Sequence, residues 1–299
     1  MSPAPSTNLS VPAATMITVA PTGAETLKSA APALPVTVEE LVTAAVDCQA
    51  AGAAMIHVHV RDGNGLPTLD LGLLRGAVQA LRDTTSLVVQ LSTGGAVSDP
   101  LEHRLRVLEA EPDSCSLTCG SVNFGDEIFA NPWPFITELY QQTQAREIVP
   151  EFELFDLGQV SALSRLLDTH GPPFGGHVHC DLVMGVPGGM PGNAATLVAA
   201  VGSLPAGASW SATGVGRASL PVAFAALAAG GHLRVGMEDT LSFAKGEHVT
   251  SNAQLVQRAA GLATVAQRPP MSSDDARALL KVKDRSRVDN DQTLARAAG

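Results

Sequence analysis

Short apolar runs, each followed by a longer segment of helical periodicity, recur eight times along this 299-residue chain, and that alternation limits its fold more than any other feature. The runs fall at 16–20, 55–60, 87–91, 114–118, 148–155, 178–184, 209–212 and 233–237. The amphipathic segments lie near 38–51, 71–82, 101–110, 134–145, 158–169, 193–203, 219–229 and 251–267. A βα unit takes about 30 residues, so eight in series predict a closed parallel (β/α)8 TIM barrel of the α/β class in one domain. An open doubly wound sheet shares the local pattern. Against it, no G-x-G-x-x-G follows the first run, and no G-x-x-x-x-G-K-[ST] occurs anywhere. Thr37 with Glu40 reads as a capping box for the first helix, and Ser273-Asp274-Asp275 as the start of one more helix after the eighth unit.

The barrel domain is expected over 16–280. A Pro/Ser/Ala-rich extension (1–15) precedes it, and a polar tail (281–299) follows, either free or embracing a neighbouring subunit. Composition excludes several classes of partner. Aromatics at 4% argue against a stacking platform for single-stranded nucleic acid. A net charge of −10 without a basic run argues against nucleic acid and anionic membranes, so an anionic ligand must be met by local cations. No apolar run has the length of a membrane span, and the opening residues lack the pattern of a secretion signal. Cys48, Cys115, Cys119 and Cys180 form no C-x-x-C pair and read as reduced, packed thiols, which makes a cytoplasmic location the expectation.

The stretch MIHVHVRDGNG at 55–65 carries the strongest chemical signal. Side chains alternate along a strand, so His57, His59 and Arg61 share a face, and the Asp62–Gly65 turn places the histidines near the carboxyl end, where barrels do chemistry. Hydrogen-bonded histidines in a wet barrel mouth would look the same locally. The eighth run, RVGMEDT, weighs against that: Arg234, Gly236 and Glu238 share a face, Asp239 turns at the strand end, and in a closed barrel this strand adjoins the first. Two imidazoles and one carboxylate leave an open position on a cation, as catalytic zinc sites do; iron or manganese would also fit. A second H-x-H, His177 with His179, opens its run and is expected toward the amino end in a structural role.

Other polar groups gather at the expected strand ends. Glu25 follows the first run, and Ser92, Thr93, Gly94 and Gly95 end the third, suited to holding a carboxylate or oxyanion. Thr118 ends the fourth, while Glu151 and Glu153 share a face of the fifth. Asp99, Asp156 and Glu127 read as ordinary loop acids.

Taken together, APTGAET, IHVHVRDGNG, QLSTGG, SLTCGSVNF, PEFELFD and GGHLRVGMED with SNAQLV resemble the β-keto acid cleavage enzymes, from about residue 16 to 280. The resemblance implies a zinc-dependent TIM barrel with one ion per subunit. Such enzymes convert a β-keto acid and acetyl-CoA, the co-substrate, into acetoacetate and a new acyl-CoA, and the family habit is a homo-oligomer, the tetramer. Carried over motif by motif, it makes His57, His59 and Glu238 the zinc ligands and Asp239 and Arg234 catalytic partners. Ser92, Thr118 and Glu153 would surround the substrate, with Glu25 nearby and suited to a cationic substituent. Ser92 or Thr93 could fill the hydroxyl role, and Glu151 or Glu153 the acidic one. Thr240 stands where members often carry Asn. A metal-dependent amidohydrolase-type hydrolase also uses H-x-H on a barrel strand, but it would want a metal-facing Lys and further rim histidines on late strands.

Overall fold

In a computed structural model of the chain, which describes residues 12–285, eight parallel strands close into a barrel. They are β1 (Ile17–Val19), β2 (Met55–Val58), β3 (Val88–Leu91), β4 (Ser114–Thr118), β5 (Val149–Leu154), β6 (His179–Met184), β7 (Ser209–Gly214) and β8 (His232–Val235). Each pairs with its neighbour in chain order, and β8 returns to β1, where Thr18 stands beside both Met55 and Arg234. The helices that follow them are α1 (Val38–Ala51), α2 (Leu71–Thr84), α3 (Leu101–Arg106), α4 (Trp133–Arg146), α5 (Leu157–His170), α6 (Ala194–Val201), α7 (Ser219–Ala229) and α8 (Asn252–Val265), and α9 (Ser273–Leu280) ends the series. The capping box at α1 is formed: Glu40 N–H donates to Thr37 Oγ1, and the Glu40 carboxylate accepts from the Thr37 backbone. The alternation read from the sequence is thus the observed (β/α)8 barrel.

Strand alternation divides this barrel unusually. Ile17, Val19, Ile56, Val58, Leu91, Leu117, Phe152, Leu182 and Leu233 face outward and pack under the helices in one large apolar cluster. Above an apolar layer at the amino end, most inward positions are polar: Thr18, His57, Gln90, Ser116, Glu151, Glu153, His179, Asp181, Thr213 and Arg234 are all buried. Barrels of this kind ordinarily fill their centre with branched apolar side chains. Polar groups out of water need partners, and these largely partner one another. Gln90 Oε1 lies 2.6 Å from His57 Nδ1, Gln90 Nε2 donates to Glu151 at 3.2 Å, and His179 Nε2 lies 3.2 Å from the same carboxylate. His179 opens β6 and, like His177, meets Ser209, so this second pair of histidines sits toward the amino end.

The amino end of the barrel is closed. Ala276 and Leu280 of α9 pack with Met16, Met55, Val88 and Val149 in a separate apolar cluster, and Arg277 anchors the helix on Asp113 at 2.9 Å. Thr15 bridges to Pro270, and Arg285 donates to the carbonyls of Arg146 and Glu147 at the end of α4. Most of the expected N-terminal extension, and the tail beyond 285 with its role as an arm, lie outside the described residues. Among the described residues no helix is long and apolar enough to cross a membrane.

Candidate active site

Chain paths at the carboxyl ends of β1, β2 and β8 decide the geometry here. After Val58 the chain leaves the barrel, and Val60–Arg61 pairs antiparallel with Pro67–Thr68 around the Asp62–Gly65 turn. His59 therefore stands at the break, one residue above the last barrel position of β2. On the other side, β8 ends at Val235, and a tight turn follows in which Glu238 N–H donates to Ala20 O at 3.1 Å. Gly236 makes this approach possible, since a Cβ there would lie 1.9 Å from Ala20 O. Asn252 of α8 secures the junction, accepting from Met237 N–H at 2.9 Å and donating to Pro21 O at 3.1 Å.

These paths bring His57, His59 and Glu238 together. Their ligand atoms all lie within 4.8 Å of one another: the two Nε2 atoms are 3.3 Å apart, and the Glu238 oxygens lie 3.8 Å from His57 Nε2 and 3.7 Å from His59 Nε2. Donor chemistry suits a divalent cation. Gln90 Oε1 accepts from His57 Nδ1, which leaves the Nε2 lone pair directed at the cluster. Burial, reinforced by Arg234, pushes the His57 pKa down to about 4, so the ring is neutral at ordinary pH. Burial works against the charge of Glu238, but Arg234 and the two histidines hold its pKa down to about 2. Its buried Oε2 has no hydrogen-bond partner, the state of an oxygen prepared for an ion. Gly23, at φ +64, passes against the Glu238 side chain, where a Cβ would lie 2.6 Å from Cγ. Among the described residues this is the one such cluster, and neither His177 nor His179 joins it.

Arg234 is the hub beside it. Its Nε and Nη2 donate to both oxygens of Asp239 at 3.3 and 3.1 Å, Nη2 to Glu238 at 2.5 Å, and Nη1 to Glu153 at 3.1 Å. Asp181 lies 3.9 Å from Nη1, donated to by Thr213 at 2.6 Å. Burial opposes the guanidinium charge, yet four carboxylates raise its pKa well above the ordinary value. Burial pushes Asp239 up to about 7 against the pull of Arg234, and it also raises Glu153.

A cleft opens over this cluster. Glu25, His57, His59, Ser92, Gly94, Gly95, Glu153, Arg234, Glu238 and Asp239 line its polar side, with Glu25 at the exposed rim. Three expected residues stand back from it. Thr93 Oγ1 donates to Ser116 O at 2.6 Å, away from the opening, and Thr118 Oγ1 donates to Glu153 at 2.9 Å. Arg61 departs furthest from expectation. The strand break at His59 carries it out of the cleft lining, and its Nη2 donates to the carbonyls of Gly23 and Thr26 at 2.7 and 2.9 Å, pinning the loop after β1. Of the two acids on β5, Glu153 reaches the cleft and Glu151 lies one layer deeper, against His179. Sequence reading missed Gln90 as the partner of His57, Asp181 beneath Arg234, and the Asn252 clamp. A polar residue inside an apolar run, as in HCDLVM, was the available signal for Asp181.

Across the cleft the wall is apolar, with Val97, Phe124, Phe129, Phe155, Val183, Val186 and Val215 facing the polar cluster. The sequence pattern gives no sign of it, because its members come from the end of β6 and from separate loops with no shared period.

A family model described as beta-keto acid cleavage enzyme matches residues 14–282. Among curated relatives, the chain is 37% identical over 273 residues to a 3-keto-5-aminohexanoate cleavage enzyme of Acetoanaerobium sticklandii, covering 89% of this chain and 98% of that protein. It is 34% identical to a 3-oxoadipate:acetyl-CoA acetyltransferase of Cupriavidus necator, covering 89% and 94%. Among solved structures, the apo form of ObcA superposes with a TM-score of 0.72 at 18% identity, covering 84% of this chain and 66% of that one, a likeness of fold.

Proposed function

Since the chain belongs to the beta-keto acid cleavage enzyme family, we propose that it converts a β-keto acid and acetyl-CoA into acetoacetate and the acyl-CoA of the remaining chain, with a divalent metal, zinc, held by His57, His59 and Glu238. The observation that carries this reading is the convergence of those three ligand atoms within 4.8 Å beside the buried Asp239–Arg234 pair. When bound, such an ion supplies Lewis-acid stabilisation for negative charge developing on a ketone oxygen.

The residues supply the rest. Asp239, held by two hydrogen bonds from Arg234, takes a proton from the carbon between keto and carboxylate groups; burial makes it a stronger base than an exposed carboxylate. Arg234 already donates to Asp239, Glu238 and Glu153, so its part is to hold these acids in place. The substrate carboxylate is left to the loop after β3, where Ser92, Gly94 and Gly95 line the cleft. Glu153, fixed by Thr118, secures Arg234 from the far side. The carbanion attacks the acetyl thioester carbonyl and expels CoA thiolate. The thiolate then adds to the original keto carbon, the bond to the central carbon breaks with its electron pair left on that carbon, and Asp239 returns its proton there, which releases acetoacetate and acyl-CoA with the base regenerated.

The reading includes a cytoplasmic homo-oligomer, the tetramer implied by family habit; a monomer by light scattering would remove that part. The main test is metal dependence. Purified protein should carry about one zinc per chain, lose acetoacetate release after chelation, and regain it with zinc added back. His57→Ala should lose both metal and turnover, and full activity in a metal-free preparation would refute the ligand set. Gln90→Leu should leave the ligands present but weaken metal affinity by about 10–100-fold, the usual cost of losing the partner of a ligating histidine, as read by competition with a chromophoric chelator.

A further inference from the structure

The acyl side of the keto acid has to lie somewhere, and the wall opposite the polar cluster is the surface that remains for it. We infer that this enzyme acts on β-keto acids whose acyl side chain is uncharged and apolar, packed against Phe124, Phe129, Phe155, Val183, Val186 and Val215; the inference rests on the β-keto acid reading above. Val183 lies near the end of β6 and the others come from the segments after β4, β5, β6 and β7, so the surface is built by four separate parts of the barrel rim. Val122, Phe129, Phe155, Val183 and Val186 are buried and form an apolar cluster distinct from the main core, with Phe124 and Val215 packed on it. The three phenylalanine rings meet edge to face, centroids 6.3–6.4 Å apart and interplanar angles of 68–72°, which fixes the surface in one arrangement.

Charge in the cleft is confined to the other side. Among the described residues that line it, Arg234 is the single Lys or Arg, and its donors are committed to Asp239, Glu238 and Glu153. A substituent ending in carboxylate therefore meets no free cation. An ammonium group meets no carboxylate in the wall. Glu25, the residue read from sequence as suited to a cationic substituent, is exposed at the rim within electrostatic reach of Arg61, outside the apolar surface. Seating a charged group there means stripping its water without a partner, whereas an alkyl or aryl group gains by the same transfer.

The experiment is kcat/KM for acetoacetate release at saturating acetyl-CoA, with 3-oxohexanoate set against its 5-amino counterpart, the dicarboxylate 3-oxoadipate, and a trimethylammonium-bearing 3-oxobutanoate. The apolar acid should lead each charged one by at least about tenfold, the scale on which apolar pockets discriminate. Phe124→Asp, at a half-buried hairpin position, should shrink that lead and raise the 5-amino acid relative to wild type. A lead for the 5-amino acid or the dicarboxylate in wild type overturns the inference alone. A lead for the trimethylammonium acid also overturns it and reassigns the rings to a cation. No acetoacetate from any acid removes the β-keto acid reading itself, and this inference with it.

Discussion

Asp239→Asn is expected to lower kcat by about 10²–10⁴-fold, the range that a positioned general base contributes, while one metal equivalent stays bound per chain. The separation of the two effects follows from the geometry. Asp239 is not among the three converging side chains that could hold a metal, and an amide oxygen can still accept from Arg234 Nη2 at the present 3.1 Å. Local structure is therefore retained and only the basic site is lost. Turnover and zinc content measured on the same preparation decide it. Unchanged turnover would move the proton abstraction to another group, and lost zinc would mean that Asp239 supports the metal rather than the chemistry.

Arg234→Met should be the most destabilising substitution at the site, costing about 3–5 kcal/mol in urea unfolding, because removing one partner of a buried ion pair leaves the others uncompensated. The Arg234 side chain is 4% exposed, and its guanidinium faces Asp239, Glu238, Glu153 and Asp181, all within 3.9 Å. Arg234→Lys should recover part of the loss, since it returns the charge without the two-pronged grip on Asp239. Equal stability of Met and Lys variants would show that packing, not charge, sets the role. In the same experiment Arg75, half exposed on α2 and near Glu109 at 3.9 Å, serves as a surface reference, for which a change within about 0.5 kcal/mol is expected.

Much of this was legible in the sequence, for stated physical reasons. The eight apolar runs and their helical followers were readable because burial against a layer of helices demands outward apolar positions at every strand, and Ile17, Val19, Ile56 and Val58 supply them. The pairing of His57 with Glu238 was readable because closure of a barrel sets the eighth strand beside the first. What failed was local extension of a regular pattern. Alternation put Arg61 on the same face as His57, but the strand stops at Val58, and the hairpin with Pro67–Thr68 rotates the chain onto a different path. Similarly, Ser92 and Thr93 are equivalent in composition, and only the turn of the β3 loop, with Thr93 tied to Ser116 O, separates them. The apolar wall had no linear trace, since Phe124, Phe155 and Val186 are joined only by the way neighbouring loops fold over the rim.

The plug formed by α9 has a kinetic consequence. With Ala276 and Leu280 stoppering one mouth of the cylinder, the described residues leave the cleft at the carboxyl end as the doorway that keto acid, thioester and both products would share. A bulky thioester lodged there would block the escape of whatever lies deeper, so an ordered sequence is the expected result, with the small acid entering first, and steady-state kinetics with both reactants varied would check it. High concentrations of the larger reactant should then slow the enzyme by obstructing entry, not by competing for the same atoms.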